Sequence, residues 1–418
     1  MSAGRVLWSR PESSLVLALA VAAACGYPRP PDVGDDDVGC ASDQSCGGST
    51  PFCVDRVCAV CKASVNCPAA RPVCDATSHD CRSCARDSEC DSGACDLAAG
   101  RCVDPGAILY ASPSGIMADP CTRAFPCSLF KASSAVEPSH PYIVLLPGSH
   151  GGTQFDGQKA TVCGNGATIV GNNVLLHGSS VTMRDVKVIE TVRVSAFGAG
   201  SAFVGYDSEL TLDDVEFHLT AIHAIDGGRV LTLRNTTIAN GRISTGAHVI
   251  VDRSTFLPGS SISLFGTDAS LQVTNSVFVA TVGDKFIAIN DGTPGSTAPG
   301  GASVFNNTFI GGAIGCSGSP LYGKNFNSNI FYNVSSVQTE PGCKYNHNLV
   351  VPFFDYGGTG NITGDPLFVN AASNDFHLRA GSPAIDAADP ALVNGHDRDG
   401  QPRPGGGRSD IGAFEYRP

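Results

Sequence analysis

A short phrase recurs along the middle of the chain and limits the folds that this sequence can adopt. Each copy is an apolar strand pattern, an Asn or Asp, and a second apolar pair, as in residues 210–217. The apolar residues that close successive copies lie 18 to 31 positions apart: Val188, Phe217, Ile238, Phe256, Phe278, Phe309 and Phe331. A unit this short cannot bury its own apolar face, so neighbouring copies must stack into a solenoid with one continuous core.

The composition favours β structure and argues against two classes of partner. Charged residues make up 16% of the 418 residues, and 49 Gly with 26 Pro imply many turns and little long helix. The formal net charge is -12, and no Lys/Arg cluster is present to neutralise phosphates. We therefore expect neither nucleic acid nor an anionic membrane surface as a partner, and no motif calls for a cofactor.

The N-terminus has the pattern of an export signal. Arg5 and Arg10 precede the apolar run 15–24, which is too short to span a bilayer but has the length of a signal-peptide core. Small residues lead into Cys25, which resembles a bacterial lipoprotein signal. We predict a signal peptide at 1–24, lipidation of Cys25 and a solvated tether at 25–39. Cleavage after Ala24 by an ordinary signal peptidase is the alternative, and it would leave Cys25 as a thiol.

These features predict an exported protein of the cell envelope. Lipidation would place it at the outer membrane or the cell surface, with the N-terminal lipid as its one contact with a membrane. Gly26 after Cys25 favours outer-membrane sorting by the rule known for enterobacteria.

Twelve of the 18 cysteines form three tandem copies of four within residues 40–104, and each copy opens with C-x5-C. The copies are Cys40, Cys46, Cys53, Cys58; Cys61, Cys67, Cys74, Cys81; and Cys84, Cys90, Cys95, Cys102. Such a segment has few large apolar residues, so disulfides or metal must hold it. The spacing of Cys58, Cys61, Cys81 and Cys84 fits a zinc ribbon, but the regular register and the export signal favour disulfides. Each copy allows three pairings, and the sequence does not choose among them.

The cysteine copies resemble repeats near the N-terminus of surface lipoproteins in myxobacteria. The rest of the chain, 106–417, resembles the choice-of-anchor Q domain of pectin-lyase-like proteins. The resemblance is carried by the opening runs 108–115 and 143–148 and by the closing motifs at 364–369, 376–378, 381–386 and 410–415. It implies an all-β fold, a right-handed parallel β-helix at 105–363 with a capping helix at 128–136 and a closing segment at 364–418. Activity does not follow from this fold.

Several polar and cysteine residues of the β-helix are assigned structural roles. Asn235, Asn275, Asn306 and Asp214 precede strands, where a bent backbone is tolerated, and we expect stacked amides at these positions. The remaining cysteines suggest the disulfides Cys121 with Cys127 in the cap and Cys316 with Cys343 between turns. Cys163 is then left over, as a buried thiol or as a mixed-disulfide partner.

The candidates for catalysis are few. The glycoside hydrolases of this fold combine several short motifs, and here Asp213 and Asp214 precede Asn235 in the wrong order while Ser244 replaces a Lys. The best remaining set is Lys187, Glu216 and His218, which we expect on one outward face of neighbouring turns.

Asp397 and Asp399 form part of a calcium-loop pattern but lack the further ligands of such a loop, and a polar turn explains them as well. We therefore predict no metal site, with these two residues as the calcium candidates.

The sequence thus predicts a surface-exposed lipoprotein without enzymatic activity that presents a β-helix to a glycan or a surface protein. The alternative is a polysaccharide lyase or glycoside hydrolase of the β-helix class that uses Lys187, Glu216 and His218. A third possibility is that the cysteine copies bind the partner and the β-helix serves as a spacer.

Overall fold

The computed structural model describes residues 39–170, 174–189, 203–218, 229–246, 248–265, 269–281, 284–291, 301–318, 323–338, 340, 342–352, 354, 357–392 and 395–418. It divides into two compact units. Among the described residues, the first unit comprises 39–62 and Ala76–Asp80, and the second comprises Ala63–Asp75 and the described part of Cys81–Pro418. No helix among these residues has the length and apolarity needed to cross a bilayer.

The first unit contains the first cysteine copy. A 3-10 turn at Asp43–Ser45 leads to a hairpin in which Phe52–Val54 pairs antiparallel with Val57–Ala59. Two disulfides, Cys40–Cys53 and Cys46–Cys58, hold it together. The bonds therefore join the first cysteine to the third and the second to the fourth.

The second unit contains the third copy, which has the same connectivity. Its disulfides are Cys84–Cys95 and Cys90–Cys102, around a 3-10 turn at Asp87–Glu89 and a two-residue hairpin of Cys95–Asp96 with Arg101–Cys102. Part of the second copy also lies in this unit, with a 3-10 turn at Ser64–Asn66, a hairpin of Val73–Cys74 with Cys81–Arg82, and the disulfide Cys67–Cys81. Three cysteines of the zinc-ribbon spacing, Cys58, Cys81 and Cys84, are thus disulfide-bonded.

The rest of the second unit is a solenoid with three parallel sheets, which confirms the predicted all-β parallel β-helix behind a disulfide-rich region. Three long strands, Lys159–Val170, Ser180–Ile189 and Glu209–His218, contribute their first halves to sheet I and their second halves to sheet II. The other strands of sheet I are Ile108–Ala111, Tyr142–Leu145, Val230–Arg234, His248–Asp252, Ser270–Thr274, Ala302–Phe305, Lys324–Asn327 and Cys343–Asn346.

Sheets II and III complete each turn. The other strands of sheet II are Ser149–His150, Thr237–Ala239, Thr255–Phe256, Val277–Val279, Thr308–Ile310, Ile330–Tyr332 and Leu349–Val351. Sheet III consists of Gln154–Asp156, Val174–His177 and Phe203–Tyr206, followed by Arg242–Thr245, Ser261–Phe265, Lys285–Asp291, Ala313–Gly318 and Ser336–Val337. Each strand pairs in parallel with its equivalent one turn earlier, which is the stacking that the repeat predicts.

Alternating side chains fill the interior. Leu231 and Leu233 lie in register with Val249 and Val251 of the next turn, and all four are buried. In sheet II the interior column becomes aromatic, and the rings stack with centroid distances of 4.5, 4.8 and 5.3 Å through Phe256, Phe278, Phe309 and Phe331. These phenylalanines are the apolar residues that end successive copies of the repeat. The repeat in the sequence therefore results from the periodic packing of this core.

A sharp bend joins sheet I to sheet II, and the expected ladder forms one residue later than predicted. Asn235, Asn275, Asn306 and Asp214 have φ of 49°, 51°, 53° and 56°, the left-handed conformation that Asn and Asp tolerate best. The residues that follow the bends point inward and form the ladder: Thr236, Ser254, Ser276, Asn307, Asn329, Asn348 and Asn361.

Each ladder side chain after Thr236 accepts a hydrogen bond from the backbone N–H of the ladder residue one turn earlier. The nitrogen of Thr236 lies 3.2 Å from Ser254 Oγ, and the nitrogen of Asn348 lies 2.9 Å from Asn361 Oδ1. The Nδ2 groups of Asn307 and Asn329 also donate to strand carbonyls of the preceding turn, those of Val273 and Val304. The bends therefore leave no orphaned donor at these positions, as a buried turn requires.

Two elements cover the N-terminal opening of the solenoid. The predicted capping helix is present as Leu129–Ser134, begins at Ser128, whose Oγ accepts from Lys131 N–H at 3.3 Å, and buries Leu129 and Ala132. The disulfide Cys121–Cys127 lies beside it, and a 3-10 turn at Pro105–Ala107 leads into the first strand. Toward the other end Cys316 is bonded to Cys343.

The closing segment 364–418 packs against the outer face of sheet II. It contains a hairpin of Phe368–Asn370 with Asp375–Leu378 and a 3-10 turn at Ala371–Ser373. Its apolar residues form a second core with outward side chains of sheet II, which include Val277, Ile330 and Leu349. Sheet II thus has an outward column that is polar early and mostly apolar late: Thr168, Lys187, Glu216, Thr237, Thr255, Val277, Thr308, Ile330 and Leu349.

Candidate functional site

The predicted catalytic set lies on the early, polar part of sheet II. Lys187 and Glu216 are register partners on consecutive turns, and Lys187 Nζ lies 3.3 Å from Glu216 Oε2. Their side chains are 38% and 47% exposed. His218 ends the same strand, and its side chain lies outside the described part of the structure. The structure therefore brings two of the three residues together, as an exposed ion pair.

We expect this ion pair to contribute little to folding. A double-mutant cycle with Lys187→Gln and Glu216→Gln should give a coupling energy below about 1 kcal/mol, because water screens a pair this exposed. Chemical denaturation of the four proteins measures it. A coupling above about 2 kcal/mol would mean that the pair is held in a more enclosed site than this geometry shows.

The two calcium candidates have different partners. Asp397 is buried, and its carboxylate accepts from the backbone N–H groups of Asp399 and Gln401 at 3.0 and 2.8 Å, which closes a turn. Its other oxygen accepts from Glu415 N–H at 3.1 Å. Asp399 instead contacts His377, with 2.8 Å between Oδ2 and Nε2. A polar turn accounts for both residues.

His377 lies between two carboxylates in the closing segment. Asp375 Oδ1 is 2.6 Å from Nδ1, Asp399 Oδ2 is 2.8 Å from Nε2, and the ring packs on Phe414. Partial burial opposes the charged form, but the hydrogen bonds and charges of Asp399 and Asp375 outweigh it and raise the pKa of His377 above 6.5. The protonated ring therefore joins the hairpin to the loop that carries Asp399.

This geometry predicts a pH dependence with a definite sign. Because the folded-state pKa of His377 is raised, its contribution to stability is complete below pH 6.5 and is lost as the pH rises through the folded-state pKa. We expect a His377 titration midpoint above 6.5 by NMR, and a lower midpoint in Asp399→Asn. Asp365→Asn, an exposed change in the same segment, is the control. A wild-type midpoint at or below 6.5 would contradict the assignment.

The third cysteine copy is joined to the solenoid by buried polar contacts. Arg184 is 9% exposed, and its Nη2 lies 3.1 Å from Asp87 Oδ1 and donates to Cys95 O at 3.1 Å. Asn165 Nδ2 donates to Gly93 O at 3.0 Å, in a separate contact. Burial raises the pKa of Asp87, although the Cys95 amide and Arg184 favour its charged form. The third cysteine copy and the solenoid turns that carry Asn165 and Arg184 therefore form one continuous wall.

Cys163 lies behind this wall. It is the one free cysteine in the described part of the chain, and burial raises the pKa of its thiol to about 12. Arg184 Nη2 is 3.4 Å from its sulfur. A thiol that stays protonated in a closed core is inert toward thiol exchange, so its role here is packing.

A cleft of about 580 Å³ opens between the third cysteine copy and the bends of the solenoid. Its charged and polar walls are formed by Arg86, Asp87, Ser88, Arg184, Asp185, Asp213, Asp214, Asn235 and Arg398. The volume is in the range of pockets that hold small ligands. It is larger than a second pocket, of about 260 Å³, beside His377 and Phe414.

Carboxylates line one side of the cleft because of the bend geometry. Asp185 and Asp214 occupy equivalent bends of consecutive turns, with φ of 50° and 56°, so their carboxyl groups are neighbours. Burial raises the pKa of Asp185, and the charges of Asp214 and Asp87 raise it further. Asp213 accepts a hydrogen bond from Asn235 Nδ2 at 2.9 Å. This side of the cleft therefore concentrates negative charge.

Arg398 lines the opposite end of the cleft. It comes from the closing segment, its backbone N–H donates to Ala413 O, and its Nη2 donates to Thr255 Oγ1 at 2.7 Å. Burial lowers its pKa, and among the described residues no carboxylate lies within ion-pair distance of it. Arg398 also lines a second pocket of about 260 Å³ with His377 and Phe414.

The sequence pointed to Asp213 and Asp214 but not to this cleft. Arg184 and Asp185 belong to an earlier copy of the repeat. Arg398 lies more than 180 residues after Asp214 in the sequence. The signal that could have found them is the recurring Asp at consecutive bends, together with the expectation that the cysteine copies pack on the nearest turns.

No family model matches the chain, and no curated protein matches it. Among solved structures, a crystal structure of pectate lyase Pel9A is similar with 18% identity, a TM-score of 0.35, and coverage of 74% of this chain and 96% of that chain. The parallel register of the strands, turn after turn, establishes the fold.

Proposed function

We propose that this chain is an exported, non-enzymatic protein of the cell envelope that presents its β-helix and binds a glycan or a surface protein in the cleft. The cleft carries the proposal, because it is a pocket of ligand size with fixed charges on rigid walls. The disulfides support export, since such bonds persist in oxidising compartments.

The same proposal includes lipidation of Cys25 and residence at the outer membrane or cell surface, as expected for a choice-of-anchor Q protein of the surface-lipoprotein type. Intact mass of the protein purified from membranes tests it, with and without reduction. We expect the mass of the chain from Cys25 plus diacylglyceryl and acyl groups, and a rise of about two daltons for each disulfide reduced. A soluble species without lipid would overturn this part.

The competing function is polysaccharide cleavage by a lyase or hydrolase. The adjacency of Lys187 and Glu216 on consecutive turns favours it, because a base and an acid on one face are what such chemistry needs. Against it, both side chains are exposed and already paired with each other.

Two assays with the mature protein separate these functions. Retention on peptidoglycan, glycan arrays or whole cells, lost in a cleft variant such as Asp214→Asn but not in the exposed-surface variant Asp207→Asn, supports binding in the cleft. Cleavage of any polysaccharide in a broad panel, abolished by Glu216→Gln, would establish the enzyme instead. Neither retention nor cleavage would reject both functions.

A further inference from the structure

The cleft presents hydrogen-bond donors and acceptors side by side, and we infer that it takes a neutral saccharide with neighbouring hydroxyl groups. This inference rests on the proposed function, since it names the ligand class for the same cleft. Three properties of the walls carry it: their charges offset one another, donors adjoin acceptors, and a buried donor lacks an acceptor.

The carboxyl groups of the cleft are matched by guanidinium groups on its other walls. Four carboxyl groups and three guanidinium groups line it: Asp87, Asp185, Asp213, Asp214, Arg86, Arg184 and Arg398. Arg184 Nη2 lies 3.1 Å from Asp87 Oδ1, and the charges of Asp399 and Asp252 act on Arg398. An anion in the cleft therefore meets carboxylates and a cation meets guanidinium groups, so a ligand with a full charge of either sign gains little.

Donors and acceptors adjoin each other at the bends of the solenoid. Asn235 Nδ2 donates to Asp213 Oδ1 at 2.9 Å, and this contact does not use the amide oxygen of Asn235 or the second carboxylate oxygen of Asp213. Ser88 of the cysteine copy adds a hydroxyl group on the facing wall. A sugar hydroxyl both donates and accepts. Neighbouring hydroxyl groups therefore find both kinds of partner in this cleft.

Arg184 has a buried donor that needs an acceptor. The residue is 9% exposed, its Nη2 contacts Asp87 and Cys95 O, and its Nε has no acceptor among the described residues. Buried polar groups are seldom left unpaired, because an unsatisfied donor costs free energy. A hydroxyl oxygen accepts from an N–H group, whereas a cation does not. The donor therefore points to a ligand with acceptor oxygens.

The cleft also has an apolar surface of the kind that a sugar ring contacts. Leu97, which is 45% exposed, and Ala85 line it together with the polar groups. The ring of a sugar has apolar C–H faces and hydroxyl groups at its edge, so one face packs on Leu97 while the edge reaches the polar walls.

Charged ligands fit these walls less well. A uronate or a phosphorylated glycan would bring a negative charge against Asp185 and Asp214, and a cationic peptide side chain would leave the Nε donor of Arg184 unpaired. A neutral saccharide meets neither penalty.

Titration calorimetry on the mature protein tests the inference with matched sugars. The probes are cellotriose, mannotriose and galactotriose, each paired with the trimer of the corresponding uronate, in which a carboxylate replaces the primary alcohol. We expect at least one neutral trisaccharide to bind, and its uronate to bind about tenfold more weakly or worse, because the uronate meets the carboxylates of the cleft. The affinity of the neutral sugar should change less than about twofold between about 0.05 and 0.5 M salt, since the ligand has no charge to screen.

Matched variants assign the contacts. Asp214→Asn tolerates the same left-handed bend and keeps an acceptor oxygen but removes the charge. It should weaken the neutral trisaccharide about fivefold or more and strengthen the uronate, since a hydrogen bond to a charged group is lost and a repulsion is relieved. Arg184→Lys keeps a cation beside Asp87 but has no Nε–H, and it should weaken the neutral sugar about tenfold.

Two further variants and a folding check complete this set. Arg86→Gln, at an exposed arginine of the cleft, tests the donor side should Arg184→Lys fail to fold, and it should weaken the neutral sugar. Asp207→Asn, an exposed carboxylate in an ion pair with Arg229, is the control and should bind as the wild type does. Near-ultraviolet circular dichroism confirms that each variant is folded.

The outcomes separate this inference from the proposed function. Equal affinity for a neutral trisaccharide and its uronate would overturn the inference, and so would a folded Asp214→Asn variant that binds the neutral sugar as the wild type does. Retention on whole cells or peptidoglycan that is lost in Asp214→Asn, without binding of any neutral trisaccharide, would overturn it while the proposed function stands. No retention on any surface and no binding of any saccharide would overturn both.

Discussion

Replacing Asn329 by alanine is expected to lower the free energy of unfolding by roughly 3 to 5 kcal/mol, because it removes the centre of the side-chain ladder. Asn329 is fully buried, its Oδ1 accepts from the backbone N–H of Asn307, and its Nδ2 donates to Val304 O. The substitution leaves that N–H and that carbonyl without these partners in a closed interior. Chemical denaturation followed by circular dichroism measures the loss.

Asn370→Ala is the matched control for this experiment. Asn370 is exposed and makes no side-chain cap at the start of its 3-10 turn, so its replacement should change the unfolding free energy by less than about 0.5 kcal/mol. A loss for Asn329→Ala as small as that for the control would mean that water satisfies the bend, and that the ladder does not stabilise the solenoid.

Replacing Arg403 by methionine should destabilise the closing segment by about 3 to 5 kcal/mol, because it leaves a buried carboxylate without its counter-charge. The side chains of Arg403 and Glu415 are fully buried and paired. Arg403 also donates to the carbonyls of Gly412 and His396, while Glu415 accepts from the N–H groups of Asp410 and Gly405. Hydrogen exchange of residues 364–418, together with thermal unfolding, would locate the loss.

Two further variants show whether the loss in Arg403→Met comes from the unpaired charge. Arg229→Met removes an arginine of the exposed pair with Asp207 and should change stability by less than about 0.5 kcal/mol. Combining Arg403→Met with Glu415→Leu removes both charges and should recover part of the loss. If the double variant is no more stable than Arg403→Met, hydrogen bonds to the backbone rather than the unpaired charge hold the segment.

The sequence predicted the solenoid because its core is periodic. Phe256, Phe278 and Phe309 recur at the same place in each copy, and in the structure their rings stack. The position of the ladder was missed by one residue because both Asn306 and Asn307 suit a bend, and only the backbone conformation shows which of them turns the chain and which points inward.

The cleft could not be predicted in the same way. Its walls depend on the docking of two elements, which is decided by single contacts such as Arg184 with Asp87 and Arg398 with Thr255. These contacts join residues far apart in the chain and have no period, so a repeat pattern has no information about them. The pairing of Lys187 with Glu216 was accessible, since it follows from register alone.

The positions at which the two elements dock set the length of the cleft. The cysteine copy is fixed to the turn that carries Arg184, and the closing segment is fixed to the turn that carries Thr255. The distance between them is a whole number of strand spacings, so duplication or loss of a turn between these two would lengthen or shorten the cleft by about 4.8 Å. The size of the cleft would therefore change in discrete steps, while the contacts that dock the two elements stay the same.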